Sequence, residues 1–539
     1  MKKGLLLLLS FYFSVSVIAQ RNIDVLHYTF RIELNDLDDT LYGEAAIQFV
    51  YTQNAATIEI DLENINTAMK GMKVMAVQYP DGWPGEIVIK ETSFSHRQNK
   101  IIIPRGEKAV KGDTGFFIIT YKGVPADGLI ISKNQFGKRT FFADNWPNRA
   151  HHWLPCNDDP SDKASVEFIV SAPLQYRVIS NGILVEESNL PGGKKLSHWK
   201  EKVPLPTKVM VIGVADFAVQ HAGFVNDCIP VSSWVYTENK DHGFYDYAIA
   251  RDILAFFIDY IGPYAYQKLA NVQSKTMFGG MENAGAIFYA EHTVNGLQTE
   301  ERLIAHEIVH QWFGNMATEK SFAHFWLSEG FATYLTHIYL ESKYGTDSLN
   351  KRMQEDREQV ISFVKSAKRP VVDSTPDYMR LLNANSYQKG GWILHMLRRQ
   401  LGDSVFHKSI REYYSAYAGK NADTKDLQQI VEKVSGKNLE TFFRQWLHTP
   451  VNPKLEIAWK YSPAEKKVII TVDQLQQSVP FVFPLEIDLI ADNKKTETRT
   501  LYISKQSETF HIPVSNNLKS IFPDPNTSLL FEARVIKTN

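Results

Sequence analysis

A chain of 539 residues is longer than one hydrophobic core usually supports, so roughly two to four domains are expected. Its composition, 44% hydrophobic, 22% charged and 12% aromatic, is that of a globular protein. Fifty-nine basic residues against 60 acidic ones leave a net charge of −1, and with no basic block nothing points to a nucleic-acid partner.

Residues 1–19 read as a signal peptide. Lys2 and Lys3 supply the charged start, an apolar run begins at Leu5, and Val17-Ile18-Ala19 is a small-residue cleavage pattern before Gln20. The expectation is an exported protein, periplasmic or secreted, against the alternative of a retained anchor. No Cys lies near the cleavage point, which argues against a lipoprotein. No later segment approaches the roughly 18 apolar residues of a membrane span, so none is expected once the signal is removed. Cys156 and Cys228 are the only cysteines, and whether they pair is open.

Residues 20–217 predict an N-terminal β domain. Residues 28–34, 46–51 and 58–62 alternate apolar and polar, and Gly, Pro and Asp mark the breaks. Residues 218–449 predict a mainly helical catalytic domain, with helical periods over 245–257, 381–401, 405–417 and 439–447. Alternation returns in residues 450–539, long enough for a small C-terminal β-sandwich. The fold class is therefore multidomain α+β.

The chemistry concentrates in His306-Glu307-Ile308-Val309-His310, within a stretch free of Pro and Gly until Gly314. In a helix, His306 and His310 are i and i+4, so their imidazoles share one face and suit a single Zn²⁺, with Glu307 beside them as general base. A catalytic zinc takes a third protein ligand and keeps a position open for water. Glu329, in a second apolar helix, is the natural candidate. Residues Gly279, Gly280, Met281, Glu282 and Asn283 form a Gly-rich turn that by itself is only a loop. Near zinc, its glycines admit a peptide backbone and its carboxylate suits a positive α-amino group. Tyr387 opens a helix and, near zinc, offers a hydroxyl to an oxyanion. His151 and His152, being adjacent, would face opposite ways on a strand and not share a metal. His324, His337 and His395 read as packing or surface residues.

These stretches together resemble the gluzincin metallopeptidases, specifically the alanyl (membrane alanyl) aminopeptidase family that also includes leukotriene hydrolase. The resemblance rests on Gly279-Gly280-Met281-Glu282-Asn283, the two histidines, eighteen residues between His310 and Glu329, and Tyr387-Gln388-Lys389-Gly390. It extends to Trp326-Leu327-Ser328-Glu329-Gly330, to Leu154-Pro155-Cys156, and so across essentially the whole chain after the signal peptide. It implies an N-terminal antiparallel β-sandwich, a thermolysin-like catalytic domain and one Zn²⁺ per chain held by His306, His310 and Glu329. It also implies Glu307 as base, Tyr387 as oxyanion donor, and Glu282 as anchor for the free N-terminus of peptide substrates.

The sequence departs from that family at one residue. Where relatives have an acid or amide that also holds the substrate amine, counting back from Pro155 gives Trp146, and Asp144 or Asn145 substitutes only if the loop is shifted, with Asp144 the choice. Many relatives also carry a large helical domain over the site. The sequence here ends in its β-domain, which implies a more open cleft or one covered by a second subunit. The rival readings are a non-catalytic peptide-binding module, and an endopeptidase or epoxide hydrolase on the same scaffold. Oligomeric state and the preferred first residue are open.

Overall fold

In strand Ile23–Glu33 the buried side chains Val25, Tyr28, Phe30 and Ile32 are interleaved with outward polar ones, and a slip between Val25 and His27 keeps the apolar set facing in. The computed structural model describes residues 21–81 and 88–538; the segment read as a signal peptide lies outside the described residues. Strand Ile23–Glu33 is central to an eight-stranded sheet, pairing antiparallel with Leu41–Tyr51 and parallel with Lys163–Pro173. A four-stranded sheet completes much of this region, and its strand Arg139–Ala143 leads straight into Asp144-Asn145-Trp146. Cys156 is buried and Cys228 exposed, and both are free thiols.

The middle of the chain holds helices α1 (Lys240–Tyr247), α2 (Ala250–Tyr260), α3 (Glu301–Val309), α4 (Trp326–Tyr344) and α5 (Thr346–Ser366). They are followed by α6 (Gly390–Leu401), α7 (Asp403–Tyr417), α8 (Thr424–Ser435) and α9 (Glu440–His448). A five-stranded sheet that the helical reading did not anticipate lies among them, in the order Phe217–Val225, Ile229–Tyr236, Leu269–Ser274, Ala286–Ala290, Gly280–Met281. Its inner strands Leu269–Ser274 and Ala286–Ala290 are buried at every residue and pair in parallel, so they carry no polar alternation to betray them. The short strand Gly280–Met281 is its antiparallel edge and lies beside α3.

The C-terminal region packs a four-stranded sheet and a three-stranded one. Helices α5 and α6 grip it through Arg357 on Asp524 and through His395 Nε2, 2.8 Å from the Thr527 carbonyl oxygen. Among the described residues no helix is long and apolar enough to cross a membrane.

Candidate metal and catalytic site

Helix α3 ends at Val309, and His310 follows at its cap with helical φ and ψ, so both histidines still project from one face. The chain then turns at Gly314, whose φ of +111° suits a residue without Cβ; a methyl there would also crowd Ser328 and lie 3.1 Å from His310 Nδ1. This turn hands the chain to α4, whose first turn carries Glu329 back to the histidines.

Three donor atoms converge there. His306 Nε2 is 3.1 Å from Glu329 Oε2, His310 Nε2 is 3.4 Å from the same oxygen, and the two Nε2 atoms are 3.2 Å apart. Donors bound about 2.0–2.2 Å from a tetrahedral zinc sit roughly 3.3–3.6 Å from one another, so the triangle is close to one face of such a tetrahedron. The tautomers agree with this. His310 Nδ1 donates to the Phe313 carbonyl oxygen at 3.0 Å, which leaves Nε2 as a lone-pair donor to a cation. The donor set and its spacing therefore fit a zinc ion with a fourth position open.

The electrostatics point the same way. Burial opposes charge on Glu329, but the two histidines outweigh it and hold the carboxylate at about 2. Burial pushes the Glu307 carboxyl well above the usual carboxylate range, Glu282 and Glu329 add to that, and His310 opposes it. Glu282, Glu307 and His310 also bring ligand-type atoms within 4.8 Å of one another, so the second carboxylate faces the same space.

A cleft of about 840 Å³ opens over this centre, lined by Gly279, Gly280, Met281, Glu282, Tyr387 and Trp146 among others. Among the described residues, the Oε1 atom of buried Glu282 has no hydrogen-bond partner. Tyr387 stands in a single π-helical turn, Asn385–Lys389, of the kind often found at functional positions. Its ring stacks on His306 with centroids 6.1 Å apart and planes 13° apart. Burial keeps its phenol protonated and therefore a donor.

Two expected site residues are placed elsewhere. Asp144 is fully buried away from the cleft, one oxygen bound by Arg149 Nη2 at 2.7 Å and the other by the Met277 N–H at 3.0 Å. Both oxygens are thus occupied, one by Arg149 and the other by the loop that leads into Gly279. Trp146 takes the cleft-facing place instead, packed on Phe325 at 5.1 Å and Phe278 at 5.7 Å. Asn283 is also fully buried and does not line the cleft.

Two residues escaped the sequence reading. Gln311 Nε2 and Asn315 Nδ2 both donate to the Glu282 carbonyl oxygen, at 2.9 and 2.7 Å, and the Gly285 N–H donates to Gln311 Oε1 at 2.9 Å. The zinc-ligand segment thereby fixes the backbone of the Gly-rich strand across from it. Their position just after His310 was the available signal, since a buried amide so placed reaches a facing backbone. His324, His337 and His395 are packing residues with partners: His337 on Asp356 at 2.8 Å, His324 on Thr424 at 2.9 Å, and His395 as above.

Comparison with known proteins agrees with the geometry. Residues 25–209 match the peptidase M1 N-terminal domain and residues 245–446 the peptidase family M1 domain. Similar relatives include aminopeptidase M1-A of Oryza sativa subsp. japonica, 26% identical over 67% of this chain and 44% of its own. Glutamyl aminopeptidase of Sus scrofa is 24% identical over 92% of this chain and 54% of its own, and endoplasmic reticulum aminopeptidase 2 of Homo sapiens 25% over 76% and 43%. The chain thus spans about half the length of these curated relatives. With the N-terminal and catalytic regions both matched, and His306, His310 and Glu329 converging as a zinc centre would require, the chain belongs to peptidase family M1.

Proposed function

We propose that the protein is a zinc-dependent aminopeptidase that removes residues from the free N-terminus of peptides. The observation that carries this reading is the buried Glu282 Oε1, without a partner among the described residues, in the same cleft as the His306–His310–Glu329 triangle. A buried carboxylate oxygen left bare is costly, and a substrate α-ammonium is the cation that fits both its charge and its hydrogen-bonding need. The names of the relatives, all aminopeptidases, support the same reading.

Zinc, when bound by His306, His310 and Glu329, supplies a Lewis acid that makes water acidic enough to be activated near neutral pH. Glu307 takes the proton from the attacking water as its oxygen bonds to the carbonyl carbon of the first peptide bond. The Tyr387 hydroxyl donates to the oxyanion that forms. Glu307 then passes its proton to the leaving nitrogen, and the C–N bond breaks. Glu282 fixes the ammonium so that only the first carbonyl reaches the centre, which separates this reading from an endopeptidase. Residues 1–19 direct export, to the periplasm or beyond.

The test is hydrolysis of a panel of aminoacyl fluorogenic amides, with and without a zinc chelator, beside the N-acetylated forms. Chelator-sensitive release from free amines alone is expected; equal cleavage of the acetylated forms would end the amine-anchor reading. Mass analysis of the exported protein checks for an N-terminus at Gln20.

A further inference from the structure

A second group of side chains with metal-ligand chemistry lies on the loop that follows Trp146. Residues Ala150–His152 form a single 3-10 turn, not a strand, so adjacent His151 and His152 do not point apart. Their rings lie with centroids 4.6 Å apart and planes 37° apart. Glu63 comes to them from the segment after strand Ala55–Asp61, its N–H donating to the His151 carbonyl oxygen at 2.8 Å. The three side chains offer ligand atoms all within 4.8 Å of one another, and all three residues are half-buried.

The surroundings are those of a ligand set. His151 Nδ1 contacts Asp158 Oδ2 at 2.7 Å, and the His151 N–H donates to the same oxygen at 3.1 Å. That contact fixes the ring and leaves Nε2 as its free donor atom, as an orienting carboxylate does behind a metal-bound histidine. His152 Nδ1 is buried with no hydrogen-bond partner among the described residues. A simple His151–Asp158 ion pair accounts for the first contact and leaves the second atom orphaned; an ion shared between the rings accounts for both.

We propose that Glu63, His151 and His152 form a second metal site, distinct from the catalytic centre, for a divalent transition ion of the zinc type. Two imidazoles and one carboxylate are a donor set that zinc accepts readily, with water completing the coordination. The ion joins the Glu63 segment to the turn just beyond Arg149. Arg149 in turn donates from Nε to the Trp146 carbonyl oxygen at 2.7 Å and grips Asp144 and Asp127. The site therefore braces the loop that walls the cleft, and does so without touching substrate.

The test counts zinc in the full chain after equilibrium dialysis against micromolar free zinc, with the melting temperature read in parallel. The wild type is expected to hold two zinc ions per chain. Glu63→Gln and His152→Gln each hold one, keep the activity of the catalytic centre, and lose the part of the zinc-dependent rise in Tm that His306→Ala retains. Glu63→Gln preserves shape and stands as the check if the histidine variant folds poorly. One zinc in the wild type, or two retained in both variants, overturns the proposal.

Discussion

Gly330 and Gly390 touch backbone to backbone: a Cβ built on Gly330 would lie 2.8 Å from the Gly390 Cα. Gly330 follows the zinc-ligand candidate Glu329, and Gly390 ends the turn that presents Tyr387, so this contact sets how near the tyrosine stands to the metal centre. Because the obstacle is backbone, neither side can yield cheaply. Gly330→Ala is expected to cost about 1–3 kcal/mol by overpacking and to lower kcat by more than it changes zinc content. Thermal melts and steady-state kinetics check it; an unchanged kcat would separate Tyr387 from the chemistry.

Strand Gly280–Met281 passes directly over the base. A Cβ on Gly280 would collide with the Glu307 carboxylate, so Gly280→Ala displaces that group and should lower kcat on the order of 10²-fold, as misplacement by about 1 Å does. Glu307→Ala goes further, removing a general base whose contribution is typically about 10²–10⁴-fold, while zinc stays bound. Zinc content and kcat measured on the same samples decide; retained turnover in Glu307→Ala sinks its assignment as base.

Gln311 and Asn315 hold one carbonyl, that of Glu282, from two directions. Replacing both by Ala leaves a buried acceptor unsatisfied, at about 1–3 kcal/mol of stability per lost partner, and frees the strand that carries the amine anchor. The expected kinetic result is a raised KM for peptides with a free N-terminus, larger than the fall in kcat. A change in kcat alone would place these amides outside substrate binding.

His395 gives a pH prediction. Burial holds its folded pKa at about 3 against an unfolded value near 6.5, with Tyr334 and the Thr527 carbonyl oxygen as its contacts. The unfolded chain therefore binds the extra proton between those values, so the stability tied to neutral His395 is full above about pH 6.5 and is lost as pH falls toward 3. The slope is about 1.4 kcal/mol per pH unit for one proton. His395→Gln should start less stable at pH 7 and lose less on acidification; parallel denaturation curves at pH 7 and 5 that keep the same gap would show that this histidine is not the cause.

Local rules carried much of this protein. The i, i+4 spacing of His306 and His310 follows from the helical repeat alone, and Glu329 was recoverable because it opens an apolar helix soon afterwards. The alternation of the N- and C-terminal strands showed because one face of each sheet is wet. The buried parallel strands Leu269–Ser274 and Ala286–Ala290 have no wet face, so no local pattern marks them. Only the tertiary structure decided that Asp144 turns inward to Arg149 while Trp146 takes the cleft. Spacing from Pro155 gives position along the chain, but a nearby buried cation, here Arg149, decides where a buried carboxylate points. The same holds for His151 and His152, whose rings lie side by side and not opposed, because a 3-10 turn stands where a strand was assumed. Sequence determined which ligands exist and on what period; long-range packing determined which of them meet, because contacts between distant segments depend on the whole core and not on any one repeat.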